Sequence, residues 1–273
     1  MDFVALFQEL NIGTHLLALL LGLPRILMIA QIAPFMGGAV VTGQLRITIA
    51  IACYMPLHPA LMETMPTWGG DQLVNFAHCS LLILKEALLG FFIGWLASIL
   101  FWSIQSAGFF IDNQRGSSMA EGADPLTGEQ SSPIGNFLFQ ATIYLFYSSG
   151  AFLSFFTAVY TSYEVWQPAS LIPFEAFNSL KLMLFFAEEG QSVVTSMLLL
   201  AGPIITACLL TDISLGLVNR FASQLNVYVL AMPIKSGIAA LLLIFYFGLL
   251  MVGMKNQFPE MLNTLQILEN LLQ

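Results

Sequence analysis

Polar residues are scarce along this chain, and their positions divide it into apolar segments. Residues 10–32 form the first segment, interrupted by Pro24 and Arg25. A turn around Pro34, Gly37 and Gly38 precedes a second segment over 44–65, which has Arg46 near its start and Pro56 and Pro59 near its end. The stretch PTWGGDQ (66–72) reads as a loop, with Trp68 suited to a membrane interface. Residues 73–111 are long enough to span once with an extension, or to form one long helix, and Lys85 and Glu86 divide them. Residues 134–160 make a further, unusually aromatic span. A loop with Trp166, Pro168 and Pro173 follows, then a short amphipathic piece over 174–189. Residues 190–211 carry no charge but contain Gly202-Pro203, a pair expected to break or kink a helix. After the polar turn 219–226, residues 227–254 are apolar again, broken by Pro233 and Lys235. In the tail, Phe258, Met261, Leu262, Leu265, Leu268 and Leu272 recur at helical spacing, which predicts an amphipathic helix over about 256–272.

The pattern gives an all-α fold of about six membrane spans. Nearly every span is interrupted by a proline or a charge, so kinked helical hairpins are expected. Arg25, Lys85, Glu86, Asp212 and Lys235 lie in or beside apolar segments, where a charge survives only against protein or a watery cavity. This predicts that much of the surface meets other subunits rather than lipid.

One stretch departs from the pattern. Between the 25 uncharged residues Ala87 to Ile111 and the 34 uncharged residues Gln130 to Tyr163 lies a polar, glycine-rich loop over about 112–133. It carries Asp112, Arg115, Glu121, Asp124 and Glu129. A connection this long and polar between apolar helices suggests a task of its own. Gly116, Gly122 and Gly128 open backbone conformations closed to other residues, and Asp124-Pro125-Leu126-Thr127-Gly128 has turn chemistry. Asp112, Gln114, Arg115 and Gln130 can tie the ends of the loop together, and the loop reads either as a constriction with Met119 as its flexible apolar tip or as an ordinary solvated hairpin.

Composition agrees with a membrane protein: 58% of residues are hydrophobic and 9% charged, against about 25% charged in a typical globular chain. The net charge of −8 includes only 8 basic residues, which excludes a basic nucleic-acid surface and leaves orientation open. Cys53, Cys79 and Cys208 have no CxxC spacing and read as small buried hydrophobes. Asp2 and Glu9 stand where a signal peptide would be basic, so the first apolar segment is expected to remain in the mature protein.

Candidate chemistry is sparse. GxSxG, HExxH, a P-loop and GxGxxG are absent, and His15, His58 and His78 lie far apart in sequence. Asp112 and Asp212 could suggest an intramembrane aspartyl protease, but the GxGD pattern is missing. Asp212 also has a simpler reading as the cap of a helix restarting at Ile213. The expectation is therefore no enzyme, no cofactor and no metal. An ion- or proton-coupled transporter is the serious rival to a structural role, because such proteins use broken helices with buried charges. Against it, the two halves share no repeat.

Two blocks carry a family resemblance. Ile111-Asp112-Asn113-Gln114-Arg115-Gly116 with Ser118-Met119-Ala120, Asp124-Pro125 and Thr127-Gly128-Glu129-Gln130-Ser131-Ser132 resembles the signature of the SctT/FliR family of type III secretion export-apparatus proteins. Leu215-Gly216-Leu217-Val218-Asn219-Arg220-Phe221-Ala222 with Gln224-Leu225-Asn226-Val227 and Met232-Pro233-Ile234-Lys235 is similar to its late motif. The resemblance covers essentially the whole chain, and the runs around Thr127 and Met232 look like the virulence-injectisome branch rather than the flagellar one. It implies one subunit of a helical hetero-oligomeric export gate in the secretion-system base at the bacterial inner membrane. Implied partners are SctR/FliP-like and SctS/FliQ-like subunits, a SctU/FlhB-like switch protein, inner rod and needle components, unfolded proteins in transit and membrane lipids. It further implies a plug at roughly 113–132, with Asp112, Gln114, Arg115, Gly116, Ser118, Met119, Asp124, Pro125, Gly128 and Gln130 as gate residues. Asp212, Asn219, Arg220, Gln224, Pro233 and Lys235 are implied in subunit packing.

Overall fold

The computed structural model describes residues 12–37, 43–65, 72–116, 132–171, 180–221 and 226–272. Among these there are eight α-helices and no strand: α1 (Ile12–Ile32), α2 (Gly43–Tyr54), α3 (His58–Thr64), α4 (Gln72–Arg115), α5 (Pro133–Ser148), α6 (Ala151–Val165), α7 (Leu180–Phe221) and α8 (Val227–Leu271). Short 3-10 turns at Pro34–Met36 and Met55–Leu57 follow α1 and α2. Five helices, or helix runs, are long and apolar enough to cross a membrane, and six if α5 and α6 count as one broken span.

The helices are longer than the polar punctuation suggests. Pro24, Pro203 and Pro233 lie inside α1, α7 and α8, and Lys85-Glu86 lies inside α4. Proline removes one backbone donor, but a continuous apolar run on both sides keeps the helix closed, since no water competes for its carbonyls. The amphipathic piece expected to end at 189 is therefore the start of α7, of which 180–189 are described. The tail segment over 256–271 continues α8. Asp212 lies mid-helix in α7 and caps nothing. The span expected over 134–160 is instead divided between α5 and α6, at Ser149 and Gly150 (φ +79°).

The chain forms two compact units. The first comprises Met1–Ser98, Leu153–Phe186 and Met261–Gln273. In it α1 and α4 touch backbone to backbone. A methyl group on Gly90 would overlap the Arg25 carbonyl, and one on Gly94 would stand 3.2 Å from Ile29 Cα. Gly90 and Gly94 form a G-x-x-x-G pair, the small-residue spacing that lets apolar helices approach.

That approach buries three charges, with Arg25 and Glu86 fully enclosed. Arg25 Nε and Nη2 donate to Glu86 Oε2 and Oε1 at 2.7 and 2.9 Å, and Nη1 and Nη2 donate to Ser162 Oγ (2.9 Å) and the Trp166 carbonyl (2.8 Å). The guanidinium also lies 4.0 Å from the Tyr163 ring centroid. Lys85 Nζ is 2.6 Å from Glu86 Oε1 and donates to the carbonyls of Gln167 and Ser170, both at 2.9 Å. The carbonyls just beyond the C-terminus of α6 are thus met by cations, as the helix dipole favours. These three charges find their partners within the chain, as charges in apolar segments that survive only against protein require. His15 and His58, distant in sequence, stack with centroids 5.2 Å apart and share a 2.9 Å hydrogen bond.

The second unit comprises Ile99–Phe152 and Ala187–Glu260. Phe146 centres its core, with edge contacts to Phe101 and Phe258, both at 5.4 Å between centroids. Gly108 and Gly135 let α4 and α5 meet without side chains between them. On α7 and α8 large apolar side chains remain exposed, among them Leu199, Ile244 and Phe245. Such faces suit lipid or a partner rather than water.

Candidate functional site

The central loop leaves the last turn of α4 and re-enters at the first turn of α5, and one buried carboxylate joins the two places. Asp112 is 2% exposed. Its Oδ1 accepts from Arg115, with Nε and Nη2 both at 2.7 Å. Its Oδ2 accepts from the Ser132 hydroxyl at 2.7 Å and the Ile134 N–H at 2.9 Å. Ser132 is the N-cap of α5, with Pro133 at the first helical position, and its Oγ accepts from the Gly135 N–H at 3.1 Å. Serine followed by proline is a strong helix start. Gly116, at φ +82°, takes the left-handed conformation that ends α4. Four donors on one desolvated carboxylate satisfy it fully, and the positive end of the α5 dipole adds to them.

Beside this clamp lies the second pair. Lys235 Nζ stands 3.1 Å from each carboxylate oxygen of Asp212, joining α7 to α8. The pair is less enclosed than Asp112, since the Asp212 side chain is 38% exposed. It borders a cavity of about 380 Å³ whose other walls include Asn113, Gln114, Gly116 and Met232. The walls offer two carboxamides, one balanced ion pair and a pliable thioether. That set can hydrogen-bond a polar chain but holds no nucleophile paired with a base. Among the described residues no group of three or more metal-ligating side chains comes together.

Of the residues singled out in sequence, Gln114, Gly116, Asp212 and Lys235 share this cavity, and Asp112 and Arg115 form the clamp next to it. Asn219 and Arg220 lie in the last turn of α7, away from the cavity walls, and Pro233 is exposed within α8. Ser118, Met119, Asp124, Pro125, Gly128, Gln130 and Gln224 lie outside the described residues. Asn113, Ser132 and Met232 lie in the sequence blocks that carry the family resemblance but have no individual role there, although the Ser132-Pro133 signal for a helix start is available.

Comparison with known proteins gives a consistent result. The sequence pattern described as bacterial export proteins, family 1, matches residues 16–261. The chain is 38% identical to the Yop proteins translocation protein T of Yersinia pestis over 233 residues, covering 85% of this chain and 86% of the relative. It is 32% identical to the surface presentation of antigens protein SpaR of Salmonella typhimurium over 249 residues, covering 90% and 88%. It is 31% identical to the flagellar biosynthetic protein FliR of Bacillus subtilis over 189 residues, covering 69% and 72%.

Proposed function

The chain belongs to the bacterial export proteins, family 1, and on that premise we propose that it is a structural and gating subunit of a type III secretion export gate, through which unfolded proteins cross the bacterial inner membrane. The five or six candidate spans fit a multi-pass inner-membrane protein. The higher identity to the Yersinia and Salmonella relatives than to the flagellar one favours an injectisome. Its partners on this reading are SctR/FliP-like and SctS/FliQ-like subunits and a SctU/FlhB-like switch protein.

The observation that carries the gating part is the Asp112 clamp. It fixes both ends of the central loop at one point, so the loop between can be displaced while its base stays put. A closed gate must hold back ions yet yield to a polypeptide, and a loop rich in Gly and Ser suits a segment that has to change conformation. Arg115→Ala, assembled with the partner subunits, tests this through ion leak across the membrane. Greater leak than wild type is expected, and unchanged leak refutes the anchoring role.

The Asp212–Lys235 pair beside a cavity favours a second reading, ion-coupled transport. Native mass in mild detergent separates the two. A single copy in a large hetero-oligomer, formed only with the partners present, fits the gate. A monomer or homodimer that ignores them fits the transporter.

A further inference from the structure

Among the described residues the first unit leaves two buried side-chain nitrogens without a hydrogen-bond partner, Arg46 Nε and the indole Nε1 of Trp166. Trp166 is 4% exposed, and its indole Nε1 has no hydrogen-bond partner among the described residues. A buried donor left in this state costs about as much as a lost hydrogen bond, so native structures rarely keep one. Trp166 borders a small cavity with about 10 Å³ of room for the centre of a water molecule, at the lower limit of what one water requires. The cavity walls are Ile93, Ala158, Ser162, Trp166, Leu265 and Glu269.

The polar walls are informative. Ser162 and Trp166 are already bonded to Arg25, through the hydroxyl and the main-chain carbonyl. The remaining polar wall, Glu269, is a half-buried acid near the end of α8. Around it on the same helix Leu265, Leu268 and Leu272 are buried. The enclosed cluster on the other side holds two cations, Arg25 and Lys85, and one carboxylate, Glu86. A second carboxylate would balance it, and buried charges are tolerated when paired and hydrogen-bonded.

We infer that one water molecule binds in this cavity, accepts the Trp166 Nε1–H and donates to the Glu269 carboxylate, making Glu269 the outer acid of the Arg25 cluster and a latch for the C-terminal end of α8. A bridging water is nearly as favourable as a direct bond and suits a site with several polar partners. The latch would hold 261–272 against the core of the first unit through one polar contact in addition to its leucines. This inference is independent of whether the protein gates export.

The test uses the full chain in detergent, with amide hydrogen exchange read over 261–272. Replacing Trp166 by benzothienylalanine removes the N–H while nearly preserving the shape of the indole, and Glu269→Ala removes the acid. The isostere is expected to speed exchange of this segment about tenfold in the wild-type background, and to have no further effect in the Glu269→Ala background. Unchanged or slower exchange with the isostere overturns the inference, because the donor then has no partner to lose. An equal acceleration in both backgrounds also overturns it, because the indole and the acid then act independently. Should Glu269→Ala prevent folding, Glu269→Met gives the same comparison with the bulk retained and no acceptor oxygen.

Discussion

Replacing Glu86 by glutamine should be among the most damaging single changes available to this chain, although it adds no volume and removes only a charge. Glu86 Oε2 accepts from Arg25 Nε, and Oε1 lies between Arg25 Nη2 and Lys85 Nζ. A glutamine keeps one acceptor oxygen and turns an NH2 group toward at least one of these cations. Arg25 has no exposed side-chain surface and Lys85 only 6%, so water cannot take over. Breaking a buried pair in this way costs about 3–5 kcal/mol. On the scale of about 2–4 °C per kcal/mol found for larger domains, this lowers the melting temperature by roughly 6–20 °C. The assay is thermal unfolding of the purified protein in detergent, alongside Ser162→Ala and the double variant Arg25→Met/Glu86→Leu. Ser162→Ala should cost less, about 1.5–3 kcal/mol, because it removes one of four hydrogen bonds made by the guanidinium. The double variant should recover part of the Glu86→Gln loss, because no uncompensated guanidinium remains and Lys85 keeps its carbonyls. If Glu86→Gln lies within about 1 kcal/mol of wild type, the range of an exposed ion pair, the charges are hydrated and the argument from burial fails.

Further outcomes follow from the close contacts and from the second ion pair. Gly90→Ala places a methyl against the Arg25 carbonyl and Cα, so it should destabilise by about 1–3 kcal/mol; Gly13→Ala, with nothing within 4 Å, is the neutral control in the same melting assay. Asp112→Asn should loosen the base of the central loop, read as faster amide exchange at 132–136, with Ser132→Ala giving a smaller effect of about 1 kcal/mol from the lost cap. Asp212→Lys places two cations face to face and should reduce recovery of the assembled complex, while Asp212→Lys/Lys235→Asp should restore it. Because Asp212 is 38% exposed, the pair itself should contribute only up to about 1 kcal/mol.

The course of the chain was legible in its apolar runs, because burial in an apolar medium constrains composition more strongly than any local signal does. The breaks were less so. Proline and charge read as punctuation on rules drawn from helices in water, where Pro203 or Lys85 would open a helix to solvent. Here Lys85 finds the carbonyls that follow α6, and no sequence pattern announces a partner 82 residues away. The true break at Ser149-Gly150 is weaker in sequence than Gly202-Pro203, which breaks nothing. The Gly90–Gly94 pair was a readable sign of close helix packing, and Ser132-Pro133 a readable sign of a helix start. The meeting of Gln114 with Lys235 at one cavity depends on how α4, α7 and α8 pack, which no local pattern encodes.

The two sets of charges differ in a way that bears on gating. In the first unit Arg25 and Glu86 are fully enclosed and the groups that meet their charge belong to the same unit: the bidentate pair itself, the Lys85 ammonium, a hydroxyl, a carbonyl and an aromatic face. Moving any of them exposes a buried charge without compensation, so this cluster resists rearrangement by several kcal/mol. In the second unit the Asp212–Lys235 pair is partly exposed beside a cavity of about 380 Å³, and separating it costs little because water or a polar chain can replace either partner. A gate on the proposed reading needs both behaviours: a frame that does not yield and a polar surface near the loop base that exchanges partners at low cost. The distribution of burial, rather than the number of charges, supplies that difference. It places the adjustable pair beside the clamp at Asp112.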